Sequence, residues 1–217
     1  MQAVTGSSGS GCRSTYTPGP VTRRPAFGCL LEIVETLALT LIIFFVIQTF
    51  VAQPYQIRQM SMQTTLEPEQ YVLVDKLTPR FDAYKRGDIV VFSPPEDWRQ
   101  PDETPFIKRV IGVGGDEVAI REGKVFVNEV ELLEPYVYEE NGAPQETEDP
   151  LLQGQWVVPT GELFLMGDHR KMSADSREFG TVGVDQVIGR AWLRYWPIDT
   201  LEILPTPDHP ELQTATP

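Results

Sequence analysis

The chain has 217 residues, enough for one domain with its own core plus an appendage, and its 41% hydrophobic and 23% charged content excludes a disordered or collagen-like chain. Its 18 Lys and Arg against 31 Asp and Glu give a net charge of −13, which speaks against nucleic-acid partners, whose phosphates need cations. Two Cys and two His exclude a disulfide scaffold and a multi-His metal site.

Residues 1–28 are rich in Gly, Ser, Thr and Pro without hydrophobic period, and are expected as a flexible tail. Cys12 in that tail and Cys29 just beyond it read as unpaired thiols. Arg13, Arg23 and Arg24 are the only charged residues among the first 31, leaving 15 basic and 31 acidic residues, a net −16, for residues 32–217.

Residues 29–52, CLLEIVETLALTLIIFFVIQTFVA, hold no charge after Glu35, and none follows until Arg58. At about 1.5 Å per helical residue such a stretch crosses a hydrocarbon core of about 30 Å, so 29–52 is predicted as a transmembrane helix. A buried core helix and a cleaved signal peptide are the competitors. For a cut after Ala52, Phe50 occupies a position that needs a small residue. With arginines ahead of the span, the positive-inside rule sets the N-terminus in the cytoplasm and the acidic body outside. No second apolar span follows, so a single-pass anchor is expected.

Residues 53–204 read as the body. Runs of β-formers at Tyr71–Asp75, Asp88–Ser93, Phe106–Val113, Glu117–Ile120, Lys124–Asn128, Gln155–Pro159, Glu162–Met166 and Val187–Trp196 are separated by Gly and Pro. They predict a mainly β sheet or barrel, with a hairpin turn at Glu122-Gly123. The acidic stretch 129–154 is expected as a solvated loop, because it lacks calcium-loop spacing. Residues 205–217, with four prolines, are expected as a loose tail.

Several chemistries lack their residues. His169 is the one His within the expected body, since His209 falls in the predicted tail, and no paired His has the helical spacing of a zinc protease. Gly112-Val113-Gly114-Gly115 lacks the Lys-Ser of a phosphate loop. Three segments nevertheless carry more polar chemistry than packing needs: Gln56–Leu66 (QIRQMSMQTTL) with Ser61 between two Met, Phe106–Asp116 (FIKRVIGVGGD) with Lys108 in an apolar run, and Gly167–Gly180 (GDHRKMSADSREFG). Taken singly, Ser61 reads as a turn hydroxyl, Lys108 as the solvent side of an alternating strand, and Asp175 with Arg177 as a structural salt bridge.

In their order of span, Ser-Met box, Arg86–Phe92 strand, Lys-Arg box and Gly-Asp-x-Arg…Ser-x-Asp-Ser-Arg box, these segments resemble the type I signal peptidases. Those are membrane-bound serine proteases that remove signal peptides from exported proteins. The resemblance runs from the span to about Trp196 and implies a signal-peptidase-like β catalytic domain. It implies Ser61 as nucleophile, Lys108 as general base, Ser173 as the hydroxyl orienting the lysine, and Asp175 with Arg177 as the pair holding the loop. The partners it implies are preprotein signal peptides with small residues one and three before the cut, and the lipid bilayer of the plasma membrane. No metal, other cofactor or nucleic acid is implied.

The chain departs from the family pattern where Pro-Ser-Gly often precedes the nucleophile, with Arg58, Gln59 and Met60 instead. The missing Ser commonly serves as an oxyanion donor, and the Gln59 amide is expected to replace it. Thr64 and Gly114 stand where Pro is usual, and His169, where Asn is usual, is expected as a loop hydrogen-bonder. Two other classes remain: a self-cleaving repressor with a Ser-Lys dyad, which would need an N-terminal DNA-binding module, and a membrane-tethered β domain that binds without cutting.

Overall fold

The computed structural model describes residues 26–98 and 105–213, so Cys12 and the three N-terminal arginines of the expected tail lie outside the described residues. Contacts divide the chain into two compact units, one up to Ile42 and one from Ile43.

Helix α1, Ala26–Phe50, begins three residues before the expected span of 29–52 and ends two residues short of its end. Pro54 explains the earlier end. It cannot continue a helix and biases the residue before it to extended backbone, so strand β1 starts at Ala52. The segment Leu30–Phe50 is long and apolar enough to cross a membrane. Its large apolar side chains are exposed around the helix, which suits lipid rather than a protein core. The Thr36 and Thr40 hydroxyls donate to the carbonyls of Glu32 and Thr36, each at 2.7 Å, so both polar groups are satisfied within the helix.

The body is built of β1 (Ala52–Gln56), β2 (Tyr71–Asp75), β3 (Ile89–Phe92), β4 (Phe106–Val113), β5 (Glu117–Arg121), β6 (Lys124–Val127), β7 (Val130–Glu131), β8 (Glu139–Glu140), β9 (Ala143–Pro144), β10 (Gln155–Val157), β11 (Glu162–Met166), β12 (Val182–Gly183), β13 (Val187–Trp196) and β14 (Glu202–Ile203). The main sheet runs β1-β2-β13-β3-β4-β11-β12, with β14 added to β13, and β10-β5-β6-β7 form a second sheet. All pairings are antiparallel. The main sheet is an open path from β1 to β12 rather than a closed barrel. Register shifts along β13 and in β11–β4 bend it.

Both faces of the sheet centre are covered. Ile89, Val91 and Ile107 pack with Met62 and Leu66, while Val90, Phe92, Phe106 and Val110 pack with Trp98 and Leu165. Strands buried on both faces read as continuous apolar runs, which is why β4 shows no alternation and why a lysine in it has no solvent face to choose.

Two segments expected to be solvated are packed. Within 129–154, Leu132, Tyr136, Val137 and Thr147 are buried, and the short hairpin β8–β9 forms there. The described part of the expected C-terminal tail, 205–213, lies against the body. Pro207 packs on Gly87, the Thr206 hydroxyl donates to Asp88 Oδ1 at 3.0 Å, and His209 is 7% exposed. Leu212 packs on a cluster of buried residues that includes Val125, Val127, Leu132 and Tyr136, and Glu211 Oε1 accepts from the Leu133 amide. The segment ends in a short helical turn, Pro210–Gln213, that starts on a proline.

Candidate active site

Ser61 sits in the turn that carries the chain from β1 to β2. The amide of Gln63 donates to the Met60 carbonyl at 3.0 Å and that of Leu66 to the Met62 carbonyl at 2.8 Å. These bonds wind residues 60–66 tightly, with Met62 and Leu66 anchored in the core. Thr64 has φ +92°, a value closed to the proline that is usual there. Ser61 is 3% exposed.

Lys108 lies in the middle of β4, 1% exposed and opposite Val90. Its Nζ is 2.7 Å from Ser61 Oγ. Burial pushes its pKa down from 10.5 to about 8; the charges of Asp175 and Asp168 oppose that shift and Arg177 adds to it. Phe106, Ile107 and Val110 are all buried, and the Lys108 Nζ lies 5.6 Å from the centre of the Phe106 ring. Of the two methionines beside Ser61, Met62 is fully buried but Met60 is 46% exposed, so only one contributes to the apolar surroundings.

Ser173 and Asp175 follow in the loop after β11. The Ser173 hydroxyl donates to Asp175 Oδ2 at 2.7 Å. The same carboxylate accepts from the Gly167 amide at 3.0 Å and from Arg177 Nε at 2.8 Å. Arg177 is further held by the carbonyls of Arg170, Ser173 and Glu148. Burial by itself raises the Asp175 pKa, but Arg177 and these hydrogen bonds hold it below the usual carboxylate range. No hydrogen bond joins Ser173 to Lys108 among the described residues. With its proton committed to Asp175, the Ser173 hydroxyl has only lone pairs left to offer a neighbour. Gly167 is tight against this site, since a Cβ there would strike the Ser173 side chain and the Ser61 carbonyl.

Sequence reading missed the partners of two buried arginines. Arg109, next to Lys108, donates to Asp168 at 2.8 and 2.7 Å and to the Gly87 carbonyl at 2.8 Å, and Thr65 Oγ1 donates to Asp168 at 2.6 Å. Arg170 pairs with Glu134. A signal existed for Arg109: a charge inside a run fit for burial must find a partner, and Arg109 stands in the run FIKRVIGV. His169 bonds through its backbone, its amide donating to the Ser61 carbonyl at 3.0 Å. Its ring stacks on Tyr138 at 4.2 Å and 12°.

The residues leading to Ser61 and Lys108 along the chain, Ile57, Arg58, Gln59, Pro105 and Ile107, line a cleft of about 210 Å³ with Val91 and others. Gln59 is half-buried in that wall. A neutral amine at hydrogen-bond distance from a buried hydroxyl, beside a mostly apolar cleft, is equipped to take a proton and make the oxygen a nucleophile.

The family model described as "Signal peptidase, peptidase S26" matches residues 30–196. The chain belongs to the signal peptidase family. It is 35% identical over 184 residues to a protein named signal peptidase I from Leptolyngbya laminosa, covering 83% of this chain and 87% of that one. Signal peptidase IB of Staphylococcus aureus strain N315 is 30% identical over 181 residues, covering 77% and 90%. A solved signal peptidase I from Enterococcus faecalis V583 is 30% identical, with a TM-score of 0.38, over 50% of this chain and 97% of its own. As a member of this family the chain is a serine endopeptidase.

Proposed function

We propose that this signal peptidase removes signal peptides from exported preproteins by a Ser-Lys dyad, Ser61 and Lys108. The observation that carries the reading is the 2.7 Å separation of Ser61 Oγ from a lysine amine buried enough to be partly neutral near pH 8. Ser61 Oγ attacks the scissile carbonyl carbon while its proton passes to Lys108 Nζ. The resulting ammonium protonates the leaving amine as the C–N bond breaks. Water then attacks the Ser61 ester, gives its proton to Lys108, and the proton returns to Ser61 as the acid leaves.

When substrate engages Ser61, Lys108 turns to donate to the Ser173 hydroxyl, whose own proton is held by Asp175, and Asp175 and Arg177 lock the loop behind it. The Ser61 amide is the first oxyanion donor and the Gln59 side chain the second. The cleft lined by Ile57 and Ile107 receives a small apolar side chain of the signal peptide, the third before the cut. Residues 30–50 anchor the enzyme in the plasma membrane, with the N-terminus cytoplasmic and the body on the outer face. Anchoring raises the effective concentration of enzyme and membrane-bound substrate.

Cleavage of a preprotein ending its signal in Ala-X-Ala, followed by N-terminal sequencing of the product, tests the reading. Detergent-solubilised wild type should cut after the last Ala, and Ser61→Ala and Lys108→Ala should not. No cutting by folded wild type would overturn it.

A further inference from the structure

The residues lining that cleft include one that is charged, Arg58. It is exposed. Among the nine described arginines, seven are ion-paired: Arg86, Arg109, Arg121, Arg170, Arg177, Arg190 and Arg194. Arg80 lies over the Phe50 ring. Arg58 alone among them has neither an acid nor a ring as partner.

That solitude is unexpected on charge grounds. Residues 32–217 hold 31 acids against 15 bases, so a cation there has acids in abundance. Glu69, the nearest acid in sequence but one, is engaged by Gln56 Nε2 at 2.9 Å. Arg58 is instead one of the residues that line a cleft whose other lining groups, Ile57, Val91 and Ile107 among them, are apolar or neutral.

Resting on the proposed cleavage reaction, we propose that Arg58 is a specificity-determining residue: it favours preproteins with a carboxylate side chain flanking the residue that fills the cleft. An extended peptide advances about 3.3 Å per residue and turns alternate side chains to opposite sides. When one side chain enters the cleft, its neighbours lie along the rim, within the span of a long arginine. A guanidinium offers paired donors that match a carboxylate. It also offsets locally the repulsion that an anionic body exerts on an acidic substrate. Because the pair forms in contact with water, its effect is modest, about five-fold in kcat/KM.

The test uses the full-length enzyme in detergent and preproteins carrying Asp or Asn four or two residues before the cut. Wild-type cutting of the Asn substrates checks the parent reading separately. At one of the two positions wild type should prefer Asp over Asn by about five-fold, and the ratio should fall to about one in Arg58→Gln. Arg58→Glu should reverse the sign, preferring Lys over Asp at that position. Each ratio is taken within one enzyme, so a general loss of activity does not affect it. An Asp-to-Asn ratio of one or less at every position, or a ratio unchanged in both variants, overturns the proposal.

Discussion

The backbone amide of His169 donates to the carbonyl of Ser61 at 3.0 Å, tying the turn that carries the nucleophile to the loop that carries Ser173, Asp175 and Arg177. Gly167 lies at the same contact, with the Ser61 carbonyl and the Ser173 side chain where a Cβ would go. Gly167→Ala should therefore push the two segments apart. A displacement of about 1 Å at a reacting group lowers turnover about 100-fold. Steady-state kinetics should show that loss in kcat, with KM little changed.

Asp175 is buried and receives bonds from Gly167, Ser173 and Arg177. Asp175→Asn leaves the buried Arg177 guanidinium without its counter-charge, a change expected to destabilise by about 3–5 kcal/mol. Urea unfolding measures it. The same carboxylate has a folded pKa below its unfolded value of 3.8. Its stabilisation is therefore present above the unfolded value and is lost as pH falls through the lower folded one. The difference between wild type and Asp175→Asn should accordingly shrink below about pH 4.

Lys108 gives a window of the same sign at alkaline pH. Its pKa falls from 10.5 unfolded to about 8 folded, so between those values the unfolded chain binds more protons and stability rises with pH. Below the folded value the buried ammonium is a penalty of about 3 kcal/mol. Lys108→Met removes it. The variant should be more stable than wild type at pH 7, with the difference shrinking between pH 8 and 10.5, as read by thermal melts at several pH values.

Thr64 holds φ +92° in the turn after the nucleophile, a backbone region unfavourable for a β-branched residue. Thr64→Gly should relieve that strain and raise stability by about 1 kcal/mol, the relief exceeding the entropy a glycine loses. A higher Tm checks it, and an unchanged or lower one contradicts it.

Strands β2, β4, β11 and β13 begin and end where the runs of β-formers do, because each run is bounded by residues that stop a ladder. Strand β1, AQPYQ, has no such run and contains a proline; it exists because β2 offers it a partner. β7, β8, β9, β12 and β14 have two residues each, too few for any periodicity. The site divides in the same way. Ser61, Lys108 and Ser173 read singly as ordinary turn and strand residues, and it is the order of the three segments carrying them that marks them as a site. The Arg109–Asp168 and Arg170–Glu134 pairs join residues 59 and 36 positions apart, and only the folded chain brings such partners together. The packing of 205–213 likewise depends on Gly87, Asp88 and Leu133, distant surfaces that proline content does not reveal.

The most direct test of the dyad is the pH dependence of kcat/KM for preprotein cleavage. If neutral Lys108 takes the proton from Ser61, the rate should rise with pH as one group loses a proton. The midpoint should lie near the folded lysine value of about 8, with a plateau above it and no activity in Lys108→Met at any pH. A midpoint at about 6.5, the ordinary imidazole value, or cutting that survives Lys108→Met, would contradict the account and transfer the base to another residue, with His169 the next to be replaced.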